Sequence, residues 1–525
     1  MSYQKGGVAV SQWEVIVIGS GIGGLAAAAA LAKENKRVLV LERHQQLGGL
    51  TQAFERHGYH FNVGVHYIGG AGDIEGEPGP AKKIVDTLTP AGIRMASMGR
   101  VYDRAHFPGF VFDFERPAQR LIASLKAHFP QEAAGIDRYF ASMREARKAL
   151  EAVFAAHSMP QLVARGLMWW KDDEIELWVG RTISAVIGEC VSNPKLQALL
   201  AAQWGDHGGR PSEASFAIHA VTMSSYLDGA WYPVGGSGVF ATEFARTITA
   251  AGGELRAGAE VAQVRVEDGR VLGVTLADGV HIDAPCVISD AGIRNTVRML
   301  PSEEVSYDWA QDALAVEPSV GYVGLYLGLE GDIASNGASS ANDWIYESWN
   351  IDSLWRDPIA DSDAPMIFVS FPSLKDPSHD PGPKHRHTCE IVSFVDPDAF
   401  KAWEHEGMHR GDRREPAYLE MKEKVEHKLF AQFSRHYPRL APMVHFMTSS
   451  TPVSVATYTG AEHGAMYGLS TSPDRFLNEA LRPRTPIGGL FLAGQDVCCP
   501  GVTGALMGGL MAAISVEPGL LRLMR

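Results

Sequence analysis

Residues 15–49 contain Val15-Ile16-Val17-Ile18, then Gly19-Ser20-Gly21-Ile22-Gly23-Gly24, then an alanine-rich run from Leu25 to Leu31. Arg37-Val38-Leu39-Val40-Leu41-Glu42-Arg43 and Gly48-Gly49 follow. The order is strand, glycine loop, helix, strand, acid and diglycine, and each part suits a dinucleotide. Gly19 permits the tight turn out of the first strand, Gly21 lets backbone approach a pyrophosphate, and Gly24 lets the helix pack closely. The helix N-terminus offers free N–H groups and a partial positive charge to phosphate. Glu42, at the end of the second strand, is placed to accept hydrogen bonds from ribose hydroxyls. A glycine-rich turn alone is weak evidence; the β-loop-α-β-Glu context makes it specific.

Working outward, a second informative stretch lies near the other end: Gly489-Leu490-Phe491-Leu492-Ala493-Gly494-Gln495-Asp496, then Gly501 and Gly504-Ala505. It reads as a buried strand, an Asp at its end and a helix start rich in small residues. Between the two stretches, Tyr232-Pro233-Val234-Gly235-Gly236 precedes a helical pattern from Val239 to Ala251. Apolar alternation in 254–256, 260–266 and 271–276, with Asp-Gly turns at 268–269 and 278–279, predicts a β-meander. Another buried strand end is expected at 286–291. The fold class is therefore α/β: a Rossmann-like nucleotide domain from residues 1–70, 232–294 and 468–525. Residues 71–231 and 295–467 are expected to form an inserted α+β substrate domain with a helical lid. The first insertion shows helical periodicity in 138–154 and 193–204. The second mixes strands (321–329, 366–371, 389–394) with a long charged helix at 415–436.

Composition sets limits. A chain of 525 residues exceeds what one core usually supports, and a formal net charge of −14 argues against nucleic acid and against a polybasic membrane patch. Five cysteines (190, 286, 389, 498, 499) have neither disulfide parity nor metal spacing, which fits a reduced, cytoplasmic compartment. The N-terminus lacks a secretory pattern, and no apolar run reaches the roughly 18 residues of a spanning helix. His379, His385 and His387 sit in a proline-rich turn and read as a solvated loop; no metal is expected. Cys498-Cys499 reads as packing.

Three further segments carry a family resemblance: Phe61-Asn62-Val63-Gly64-Val65-His66-Tyr67-Ile68-Gly69; Gln203-Trp204-Gly205-Asp206-His207-Gly208-Gly209-Arg210-Pro211 continuing through His219, Tyr226 and Tyr232 to Gly236; and Phe371-Pro372-Ser373-Leu374-Lys375-Asp376-Pro377-Ser378. With the glycine motifs, they closely resemble retinol saturases, within the superfamily of carotenoid isomerases, phytoene desaturases and amine oxidases. The likeness runs from about residue 15 to 513 and departs at Leu50 and Gln52.

The resemblance implies FAD. In that superfamily the diglycine passes the flavin, the C-terminal segment closes over it, and its Asp bonds the ribityl chain. The cofactor-binding residues are then Gly19, Gly21, Gly23, Gly24, Glu42, Arg43, Gly48, Gly49, Leu50, Val261 (backbone to adenine), Gly494, Asp496, Gly504 and Ala505. It also implies a long apolar polyene substrate (carotenoid, retinoid or polyunsaturated lipid) and hydride transfer at flavin N5, as saturase or cis-trans isomerase. A phytoene-type desaturase, an amine oxidase-like enzyme and a non-enzymatic flavin-bearing lipid carrier remain alternatives. Candidate proton donors are His66 and Tyr67, in the segment expected beside the isoalloxazine, and Glu462 and His463, ahead of the C-terminal segment. Helix packing is the expectation for His219 and Tyr226. Only one dinucleotide fingerprint is present, so a reductase would draw on an external electron donor. An apolar stretch from Ala149 to Trp170 reads either as a helical roof over the pocket or as a lip for peripheral membrane contact.

Overall fold

The computed structural model describes residues 12–72, 78–159, 161–302, 307–358, 362–408 and 415–524. Its central layer is a five-stranded sheet in the order Glu254–Ala257, Val38–Glu42, Val15–Ile18, Val287–Ser289, Leu490–Leu492. All four pairings are parallel. The strands Val15–Ile18 and Val38–Glu42 are buried along their whole length as near-continuous Val/Ile/Leu runs, because helices cover one face of the sheet and residues 261–282 pack on the other. Helix Ile22–Lys33 is buried from Ile22 to Ala32 because it packs on helices Gly501–Val516 and Val239–Ala250. Small residues make the first contact possible: a Cβ on Gly509 would lie 2.0 Å from the Gly23 carbonyl oxygen.

The meander expectation needs one correction. Val261–Glu267, Arg270–Leu276 and His281–Asp283 form the three-stranded antiparallel sheet, but Glu254–Ala257 leaves it and pairs in parallel with residues 39–42. The preceding helix Val239–Ala250 returns the chain to the sheet edge, where a parallel strand arrives by a long crossover connection rather than as a hairpin partner.

A seven-stranded sheet is built from two distant parts of the chain, in the order Val444–Ser450, Gly321–Glu330, Arg386–Val395, Met366–Ser370, Asn342–Tyr346, Val101–Phe107, Phe110–Glu115. The last two strands lie where helix alone was expected; Phe110, Phe112 and Phe114 carry a period of two that marks them. The helices Ala133–His157 and Phe216–Tyr226 pack together beside this sheet. A hairpin, Ala53–Arg56 with Tyr59–Asn62, packs on the strand Arg386–Val395 and aims residues 64–67 between the two sheets.

Candidate active site

A cavity of about 520 Å³ lies between the N-terminal glycine loop and the C-terminal segment. Gly19, Gly21, Gly23, Glu42, Arg43, Gly48, Gly49, Leu50, Val261, Asp496 and Ala505 line it. Gly24, Gly494 and Gly504 stand behind the wall, where they allow close packing: a Cβ on Gly24 would meet the Gly19 carbonyl oxygen at 2.3 Å, and one on Gly504 the Cys499 carbonyl oxygen at 1.9 Å. Gly48 and Gly49 adopt φ of +116° and +55°, conformations that disfavour a side chain.

Two acids frame this cavity. Glu42 accepts hydrogen bonds from the Ser20 amide (2.9 Å), the Ser20 hydroxyl (2.7 Å) and the His44 amide (2.7 Å), which fixes its carboxylate at the strand end. Asp496 accepts from the Ile293 amide at 2.9 Å through Oδ2, while its Oδ1 is buried and unpartnered among the described residues. A buried orphan oxygen beside a glycine cradle fits a bound polyol chain and nucleotide. A third acid, Asp290, was missed by sequence reasoning. Its carboxyl touches the positions where Cβ atoms on Gly21, Gly23 and Gly494 would stand, at 2.5, 2.6 and 2.2 Å. Burial pushes its pKa up to about 8; the charges of Asp496 and Glu42 add to this and a hydrogen bond from the Gly24 amide opposes it.

The three segments singled out in the sequence meet in a second, buried cluster. Tyr67 Oη lies 2.8 Å from Asp103 Oδ2 and 2.7 Å from Asp206 Oδ2. Asp103 also accepts from Gln203 Nε2 at 2.5 Å and Asn342 Nδ2 at 2.8 Å. Lys375 Nζ donates to the His66 carbonyl (2.9 Å), to Ser370 Oγ (2.7 Å) and to Asn342 Oδ1. It also lies 5.9 Å from the ring centres of both Tyr67 and Tyr232. His66 Nδ1 is 2.9 Å from Glu390 Oε2, and Glu390 Oε1 accepts from the Asn62 amide at 2.6 Å. His66 Nε2 is buried with no partner among the described residues. Asn62 Oδ1 accepts from the Ser237 amide (2.9 Å) and Asp376 from the Gly235 amide (3.0 Å), so the same segments also lock the Gly235-Gly236 turn.

Electrostatics in this cluster follow from burial. Asp103 is raised to about 6 by burial, against the hydrogen bonds from Asn342, Tyr67 and Gln203. Asp206 is raised well above the usual carboxylate range, first by burial and then by the neighbouring charge of Asp103. Lys375 is lowered to about 7 by burial, against the attraction of Asp103 and Glu390.

The structure thus brings His66 and Tyr67 into one network and places Glu462 and His463 elsewhere. Glu462 lines the cavity, but its carboxylate is engaged by Arg294 at 3.0 Å and by Arg298. His463 is 38% exposed and pairs with Glu404. His219 packs in the helical layer, with its Nε2 2.9 Å from Tyr139 Oη. Tyr226 instead stacks on Tyr67, ring centres 4.8 Å apart. In the proline-rich turn, His379 donates to the Arg386 carbonyl at 2.9 Å. Among the described residues no three metal-ligating side chains gather. Asp103, Asn342 and Glu390 were not anticipated, whereas Asp206 and Lys375 stand inside two of the quoted segments.

The family model for flavin containing amine oxidoreductases matches residues 22–516, and this chain belongs to that family. It is accordingly an FAD-dependent oxidoreductase. Among relatives, the all-trans-retinol 13,14-reductase of Danio rerio is 31% identical, covering 95% of this chain and 84% of its own length. The chloroplastic prolycopene isomerase of Arabidopsis thaliana is 26% identical, covering 97% of this chain and 84% of its own. A putrescine oxidase structure superposes with a TM-score of 0.64 at 14% identity, covering 97% of this chain and 99% of that one, which bears out the fold class. The resemblance to retinol saturases is borne out as well.

Proposed function

We propose that this chain acts on carbon–carbon double bonds of a long apolar polyene, as a saturase or a cis-trans isomerase. The observation that carries the reading is the convergence of the saturase-like segments at 61–69, 203–236 and 371–378 on one buried network. FAD, when bound, supplies hydride chemistry at N5. Gly21 and Gly23 offer backbone amides to the pyrophosphate while Gly19 and Gly24 shape the loop behind them, and Glu42 and Arg43 face the ribose of the adenosine. Val261 faces the adenine. Gly48, Gly49 and Leu50 support the isoalloxazine, with Gly494, Asp496, Gly504 and Ala505 closing from the other side. The parts at 71–231 and 295–467 form the substrate-binding region.

An aromatic cluster surrounds Tyr67 in the same buried network: Tyr67 and Tyr102 both stack on Tyr226, and Phe368 lies 6.2 Å from Tyr67 and 4.8 Å from Trp344. A conjugated chain held beside such rings gains dispersion and stacking. Access is through the helix Gln161–Trp170, where Trp169 and Trp170 are 82% and 74% exposed and meet a lipid surface. Electrons come from an external donor.

The test is anaerobic photoreduction of the FAD-loaded protein followed by all-trans-retinol or prolycopene. Flavin reoxidation with loss of polyene absorbance identifies a saturase; a shift of polyene absorbance without net reoxidation identifies an isomerase. No spectral change with either compound rejects the reading.

A further inference from the structure

Tyr67 has one phenolic proton, yet its oxygen lies within 2.8 Å of two carboxyl groups that belong to residues 139 positions and 36 positions away. One O–H donates to one acceptor, so the second short O···O contact needs a proton of its own. That proton belongs to one of the two acids, and their partners decide which. Asp103 accepts three hydrogen bonds, from Tyr67, Gln203 and Asn342, and Asn342 in turn accepts from the Lys375 ammonium. This is an environment built for a carboxylate. The Asp206 carboxyl has Tyr67 as its one hydrogen-bond partner among the described residues. The proton therefore resides on Asp206, whose O–H donates to Tyr67, which donates to Asp103.

Position adds the rest. Asp206 keeps partial accessible surface while its neighbours Gly205 and His207 are buried. The Tyr467 ring, part of the cofactor cavity wall, packs against this segment: a Cβ on Gly208 would lie 2.2 Å from Tyr467 Cδ2.

We propose that Asp206 is the general acid of the reaction, delivering its proton to the polyene beside the cofactor cavity, with Tyr67 and Asp103 as positioning residues that hold that proton in place. This rests on the polyene reading above. In a saturation step one alkene carbon takes a hydride from reduced FAD. The π pair of the broken C=C forms the second C–H bond with the Asp206 proton. The hydride pair would come from the reduced cofactor, and Asp206, left as a carboxylate, would regain its proton from water. Two carboxylates sharing one phenol repel each other, so reprotonation restores the resting arrangement.

Two measurements on the FAD-loaded protein test this. The first needs no substrate: aspartate labelled with ¹³C at the carboxyl carbon gives a resonance for Asp206, assigned by its loss in Asp206→Asn. At neutral pH it is expected at the chemical shift of a protonated acid and to move in Tyr67→Phe, a displacement that loss of packing alone would not produce. A carboxylate shift at neutral pH overturns the proposal. The second is flavin reoxidation after photoreduction, with all-trans-retinol as probe. Asp206→Asn is expected to slow it by about 10²–10⁴-fold with FAD absorbance retained, and Asp206→Glu to recover part of the rate. An Asp206→Asn rate equal to wild type also overturns it. If wild-type protein ignores all-trans-retinol and prolycopene, the polyene reading fails, and with it the role assigned to Asp206; the labelled resonance then reports only whether the shared proton exists.

Discussion

The glycine cradle and the buried carboxyl cluster solve different problems with different material. The cradle works mainly through backbone: positive φ, close Cα approach and amide groups, much of it within residues 19–49. The cluster works through side chains that touch across long separations, Tyr67 to Asp206 over 139 positions and His66 to Glu390 over 324. Backbone recognition of a phosphate needs a local shape, and only a glycine pattern allows it. A proton-holding network needs partners from several elements, which the fold must first bring together. One is tolerant of chemistry and intolerant of volume; the other is the reverse.

Substitutions sharpen that contrast. Asp103→Ala removes the acceptor of three buried hydrogen bonds and leaves Lys375 without its nearest compensating charge. It is expected to lower stability by roughly 3–5 kcal/mol in urea unfolding. Asp103→Ala with wild-type stability would show that the cluster is not coupled. Gly23→Val acts oppositely: its Cβ would sit 2.6 Å from the Gly494 Cα and 2.9 Å from the Ala505 carbonyl oxygen. Overpacking of this kind costs about 1–3 kcal/mol. The variant should elute from gel filtration without yellow colour while keeping the seven-stranded sheet intact by circular dichroism.

A pH titration probes where the two regions share a principle. Asp290 has its folded pKa raised from the ordinary carboxylate range to about 8. The folded form therefore holds a proton that the unfolded chain releases, so its contribution to stability is full below about pH 4 and is lost as pH rises through about 8. Ionisation also brings negative charge against a bound pyrophosphate. FAD retention should thus weaken above about pH 8, with each unit by which FAD raises that pKa worth about 1.4 kcal/mol, a tenfold change. Asp290→Asn should flatten the profile, as read by fluorescence of released flavin. The smallest expected effect is at the surface. Trp169→Ala with Trp170→Ala should alter stability by no more than about 0.5 kcal/mol. It should nevertheless abolish sedimentation with zwitterionic phosphatidylcholine vesicles; unchanged sedimentation would remove the lipid-contact reading.

The contrast also explains what could be read ahead of the structure. The parallel core was legible because strand, loop and helix signals from Val15 to Glu42 are contiguous and agree with one another. Strands at 321–330, 366–370 and 386–395 were legible from apolar runs. The strands at 101–107 and 110–115 were hidden by the helical signal of the sequence that follows them. The move of 254–257 from meander to parallel sheet depended on a crossover helix, not on local alternation. In the site, His66, Tyr67, Asp206 and Lys375 all fell within segments already marked, but nothing in spacing paired them. Asp103, Asn342 and Glu390 look like ordinary polar residues in strands until the register of the sheet turns them inward.

The wall of the cavity includes residues 18–23 together with Ala493, Gln495, Asp496, Gly501, Val502 and Ala505, with the helix Gly501–Val516 seated on the helix Ile22–Lys33. During synthesis the first half of this receptacle emerges early and must wait, with its alanine-rich helix uncovered, until the helix Gly501–Val516 has left the ribosome. Loading of FAD is therefore a late event in the biogenesis of this enzyme, and the nascent chain has a long interval in which chaperones have apolar surface to grip.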